Sequence, residues 1–139
     1  MTISFFEPGD VPQPPDKTKI EHLSAIPSPD GWRVKMEVHV TPFLQRPNVE
    51  IVLLRLVDGS DPFPVADLSI VETMHPRMEF TMHIRGVDDP TGNYSLRAML
   101  YYRDQLEPDA SEPPPIQIKD KQAFSFTIPS YEASESSED

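Results

Sequence analysis

The sequence predicts an all-β chain, folded as one antiparallel β-sandwich of about seven to eight strands. Three observations carry that expectation. Between residues 17 and 129 apolar and polar residues alternate with a period of two, as along half-buried strands. The alternating runs are separated by Gly, Pro and Asp turn signals at roughly regular spacing. No segment of about ten or more residues has a helical period.

The elements follow in order. Residues 19–26 are a weaker strand candidate. Ser28, Pro29, Asp30 and Gly31 form a turn: Pro presets φ, Asp bonds its own backbone, and Gly takes φ > 0. Trp32, Val34, Met36, Val38 and Val40 then alternate with Arg33, Lys35, Glu37 and His39, which places the first set inward. Trp32 is read here as an inward, structural residue. Residues 49–57 are apolar on both sides, as in a central strand covered twice. Asp58 and Gly59 mark a hairpin. Residues 65–73 are another weak candidate. Met78, Phe80, Met82 and Ile84 alternate again, as do Tyr94, Leu96, Ala98, Leu100 and Tyr102 after a reversal at Pro90 to Asn93. Phe124, Phe126 and Ile128 close the series.

Composition bounds the rest. The chain has 139 residues, enough for one domain with its own core. The formal net charge is −11, a surface that repels phosphate backbones and anionic lipid, so neither nucleic acid nor a membrane is expected as a partner. With no Cys, disulfides, thiolate metal sites and thiol nucleophiles are excluded. No apolar run approaches the ~18 residues of a membrane helix, and the first residues carry no secretory pattern. A soluble, cytoplasmic domain is the expectation. Pro, 17 residues in all, gathers in loops and at the start. Residues 1–16 read as an extended Pro-rich arm, 17–129 as the domain, and 130–139 as a disordered acidic tail.

Around Asp88, Asp89, Pro90, Thr91, Gly92, Asn93, Tyr94 and Leu96 the chain resembles the corner before the sixth strand of immunoglobulin-like and fibronectin-III-like sandwiches. The resemblance implies that the Tyr94 hydroxyl returns to nearby backbone and pins a crossover, a structural role. Leu96 stands where antibody domains carry their second Cys, so an antibody-type domain is excluded. The chain is also similar to small bacterial sandwich proteins without an assigned role, which brings no function with it.

Chemistry-bearing residues are sparse. His22, His39, His75 and His83 lie in no nucleophile motif, there is no Gly-x-Ser-x-Gly elbow, and 5 Gly leave no phosphate-cradling loop. No enzyme and no cofactor are expected. His39 and His83 fall on polar faces of strands that pair in such a fold, with Glu37 and Glu79 near, but alternation alone places polar residues there, and no metal is assigned. Asp58, Asp61, Asp88 and Asp89 match no calcium loop.

Two places read as partner-binding. Arg97, Met99 and Tyr101 point outward if Leu96 and Ala98 point inward, and these residue types are enriched at interface cores. Ile3, Phe5 and Phe6 of the arm are candidates to fold back over that face. The long segment 104–115, with Asp104, Leu106, Pro113, Pro114 and Pro115, joins the last two strands and offers a polyproline face. The expected function is therefore a non-catalytic interaction or structural module that binds an unknown protein partner or itself. The alternative is a carbohydrate-binding module, which needs aromatic rings sharing one exposed face. Phe43, Phe63 and Tyr101 are the candidates.

Overall fold

The computed structural model describes residues 9–104, 109, 111, 112 and 114–129. Strands follow one another as β1 (Ile20–Pro27), β2 (Arg33–Val40), β3 (Asn48–Leu56), β4 (Phe63–Ile70), β5 (Arg77–His83), β6 (Gly92–Arg103) and β7 (Ile116–Ile128). They form two sheets, of order β1-β2-β5 and β4-β3-β6-β7, with every pairing antiparallel. This is the β-sandwich that the alternation predicts.

Period-two alternation fills the space between the sheets. Val34, Met36, Val38 and Val40 of β2 face Val49, Ile51 and Leu53 of β3 and Leu96 and Leu100 of β6, all at most 1% exposed. Each such side chain contributes about 1.5–3 kcal/mol by leaving water. The two sheets are also tied at their margins. The Ile20 amide donates to the Asp120 carboxylate at 2.9 Å, and the Arg85 amide to the Val65 carbonyl at 3.1 Å.

The turns form as their residues dictate. Gly31 sits at φ +78 and its amide donates to the Ser28 carbonyl at 2.9 Å. The Asp30 carboxylate accepts from the Ser28 hydroxyl at 2.6 Å and from the Trp32 amide at 3.0 Å, and these bonds hold its pKa below the usual carboxylate value. Before β6, the Tyr94 hydroxyl donates to the Pro90 carbonyl at 2.5 Å. Arg55 clamps the same corner, donating to the carbonyls of Asp89 at 2.6 Å and Thr91 at 2.8 Å. Phe126 stacks on Tyr94 with ring centroids 5.5 Å apart.

Several expectations are corrected. Trp32 is not inward: it precedes β2, within the turn, and remains 37% exposed. β4 runs from Phe63 to Ile70 and not over 65–73, because Glu72 adopts φ +48 and the Thr73 amide turns to the Pro47 carbonyl at 2.9 Å. β7 begins at Ile116, well before Phe124, because β6 is long enough to pair with it as far as Arg103. β3 is central but covered only once: Glu50, Val52 and Leu54 on its outer side are half-buried, while Val49, Ile51 and Leu53 are 0% exposed. Of the arm, Ile3, Phe5 and Phe6 lie outside the described residues. Its described part bonds elsewhere than the Met99 face: Asp10 to Arg77, the Gln13 amide to the Pro42 carbonyl, and Asp16 to Lys119.

Candidate functional site

The outer face of the four-stranded sheet gathers Arg97, Met99 and Tyr101, the β6 residues expected from the sequence to meet a partner. Strand register sets it out as rows. One row reads Asp67, Val52, Arg97, Ala123 across β4, β3, β6 and β7. The next reads Ser69, Glu50, Met99, Lys121. Leu54 and Ser95 lie beyond the first row, and Asn48, Tyr101 and Ile118 beyond the second. Arg97, Met99 and Tyr101 project together because their neighbours Leu96, Ala98, Leu100 and Tyr102 are drawn into the core.

Val52 and Met99 form a half-buried apolar centre, flanked by the exposed Ala123. A shallow hollow of about 410 Å³ lies over these residues and is bordered by Glu50, Arg97 and Lys121. Charge divides across the hollow. Asp67 and Glu50 lie on the β4–β3 side, Arg97 and Lys121 on the β6–β7 side. The Glu50 carboxylate accepts from the Ser69 hydroxyl at 2.6 Å, and Arg97 Nε donates weakly to the Ser95 hydroxyl at 3.4 Å. None of the four charged groups makes an ion pair among the described residues.

Segment 104–115 is described only in part. Asp104 is exposed and accepts from the Gln117 side chain at 2.8 Å. The Pro114 carbonyl accepts from Arg103 at 3.4 Å, and Pro115 is exposed. Leu106 and Pro113 lie outside the described residues. The segment begins at the end of β6 that carries Tyr101, so the two candidate regions adjoin.

The aromatic residues of the carbohydrate alternative do not share a face. Phe43 is only 5% exposed. Phe63 pairs with Arg55 and Tyr101 with Asn48, seven residues apart along β3, or roughly 23 Å at ~3.3 Å per residue.

On the other sheet the histidines regroup. His39 faces Arg77 and His83 faces Arg33, at opposite ends of the β2–β5 pairing, so the two are not neighbours. A bulge at Glu21 instead sets His22 opposite His39, with ring centroids 4.9 Å apart. Glu37 Oε2 lies 3.8 Å from His22 Nε2 and 4.0 Å from His39 Nε2. His22 Nε2 is also 3.0 Å from the Ser24 hydroxyl. A catalytic triad needs the serine on one ring nitrogen and the carboxylate on the other. Here both contacts use Nε2, so the carboxylate does not orient the ring toward Ser24. Among the described residues no three His, Cys, Asp or Glu side chains are grouped to hold a metal ion. No described helix is long and apolar enough to cross a membrane.

Sequence reasoning located β6's outward residues but missed their neighbours. Asp67, Glu50 and Lys121 carry no motif, and only register brings them beside Arg97. Arg55 was missed too, since nothing local in the sequence links it to Pro90 and Tyr94. No family model matches the chain, and no curated protein matches it.

Proposed function

We propose that the chain is a non-catalytic interaction module, an immunoglobulin-like or fibronectin-III-like sandwich that meets a protein partner through the outer face of its four-stranded sheet. The observation that carries this reading is the hollow over Val52, Met99 and Ala123, an apolar centre rimmed by Glu50, Arg97 and Lys121. A dry centre inside a charged rim is the usual anatomy of a recognition surface. The fold-family part of the reading rests on two features. The strand order β1-β2-β5 against β4-β3-β6-β7 suits that kind of sandwich, and the Tyr94 to Pro90 bond matches its tyrosine corner.

The test is affinity capture from source-cell lysate with three baits: the intact chain, Met99→Asp/Tyr101→Asp, and a control altered on the other sheet, Lys35→Glu/Glu79→Lys. Lys35 and Glu79 form an ion pair of 3.0 Å, so the control reverses that pair and leaves the candidate face intact. A protein retained by the intact chain and the control, and lost by the Met99/Tyr101 variant, is the expected result. Equal retention by all three baits overturns the assignment of the face.

A further inference from the structure

The charge layout of this face has a property that neither its apolar centre nor its shape requires. It is complementary to itself. Asp67 and Glu50 lie to one side of the line between β3 and β6, and Arg97 and Lys121 lie to the other. We propose that the face takes a second copy of this chain, in an isologous dimer whose two-fold axis runs along that line, parallel to the strands. The proposal rests on the interaction-module reading and names its partner.

The geometry follows from the register. A two-fold rotation about the line carries β4 of one copy over β7 of the other, and β3 over β6. Strand spacing is ~4.8 Å, and residues on one face of a strand recur every ~6.7 Å. Glu50 of one copy then arrives over Met99 of the other, one strand from Lys121. Asp67 arrives over Ala123, one strand from Arg97. Each acid thus meets a base, and symmetry repeats each pair. Val52 and Met99 lie beside the axis, where the two apolar centres meet. The competing rotation, about an axis across the strands, brings β4 over β4 and sets acid against acid. Charge therefore selects one of the two face-to-face arrangements.

The four charges are available for this pairing, because none forms an ion pair among the described residues. Two copies of a chain with net charge −11 repel each other at long range. At physiological ionic strength that repulsion is screened beyond about 8 Å, whereas contacts inside the interface are screened much less.

The experiment is sedimentation equilibrium at physiological ionic strength over a wide concentration range. It uses the full chain, Glu50→Lys, Lys121→Glu, and the double variant Glu50→Lys/Lys121→Glu. Glu50 and Lys121 lie on β3 and β7, with β6 between them, so they do not pair with each other within one chain; Glu50→Lys gives up its bond from Ser69 in the single and double variants alike. Melting curves confirm that each variant folds. The expected result is a reversible dimer of the full chain, a dissociation constant about tenfold or more weaker in each single variant, and recovery in the double variant, where both signs are reversed together. A full chain that stays monomeric throughout, single variants that associate like the full chain, or a double variant as weak as the singles overturns the second copy as occupant. A monomeric chain that still loses its lysate partner in Met99→Asp/Tyr101→Asp overturns the dimer alone and leaves the interaction face standing. A dimer indifferent to all these substitutions, with lysate capture equally indifferent, overturns both.

Discussion

Tyr94 and Gly31 both meet Pro90, and each is open to a single substitution. Tyr94 is 0% exposed, and its hydroxyl donates to the Pro90 carbonyl. Tyr94→Phe removes that bond and leaves a carbonyl short of a donor, so a loss of about 1 kcal/mol is expected in thermal or urea unfolding. An unchanged midpoint contradicts the pinning role. Burial also raises the Tyr94 phenol pKa. Its ionised form is thus disfavoured in the folded chain. This contribution to stability is intact below pH 10 and declines above it as the unfolded chain, but not the folded one, ionises. Alkaline unfolding of Tyr94→Phe is expected to be shallower than that of the intact protein. At the acid end the sign reverses. Asp30 and Asp89 have pKa values lowered by hydrogen bonds to Ser28 and to the Thr91 amide. Their contribution is present above the usual carboxylate pKa and is lost as pH falls through their lowered folded-state values. Gly31 holds φ +78, and a Cβ there would stand 2.9 Å from Ile128 Cγ2 and 3.1 Å from Pro90 Cγ. Gly31→Ala is expected to cost about 1–3 kcal/mol from backbone strain, with the close contact adding to it.

β6 is the element in which fold and candidate site separate most sharply. Its inner residue Leu96 is 0% exposed, while Met99 on the outer side is only half-buried. Leu96→Ala is expected to destabilise by about 2–5 kcal/mol. Met99→Asp is expected to shift the unfolding midpoint far less, since that side opens to solvent. Comparable losses in the two variants contradict the assignment of faces. This alternation was legible in the sequence because one residue's phase determines the next, and the same holds for β2 and β5; β3 is apolar in both phases, so its single covered side was not legible. The bulges were not legible. Extra residues at Glu21, Val65 and Lys119 change register by one, and no local propensity marks them. The first of them decides that His22, and not Glu21, faces His39. The end of β4 was equally hidden, because it depends on Glu72 entering φ +48 and bonding through its amide to Asn48 Oδ1 at 2.9 Å. Trp32 misled for a related reason: its phase matches β2, but the turn claims its backbone before the strand begins.

Across the whole molecule, the two outer faces differ in how their charges are used. On the three-stranded sheet Lys35 pairs with Glu79 at 3.0 Å, Arg77 with Asp10 at 2.9 Å, and Glu37 lies between His22 and His39. On the four-stranded sheet Glu50, Asp67, Arg97 and Lys121 surround an apolar centre without an ion pair among the described residues, which is the arrangement a partner would complete. The sequence showed that an outer face existed around Met99, since Arg97, Met99 and Tyr101 share one phase. It did not show the charge division, which is assembled from residues up to 71 positions apart, Glu50 and Lys121, by strand order alone. The central claim is that this face, and not the opposite one, is where the protein works. The most direct measurement is quantitative affinity capture by the intact chain, Met99→Asp/Tyr101→Asp and Lys35→Glu/Glu79→Lys, with untagged copies of the chain scored among the captured proteins. Loss of the captured proteins in the Met99/Tyr101 variant alone is the expected result. Loss in the Lys35/Glu79 variant alone, or capture unchanged in both, contradicts it.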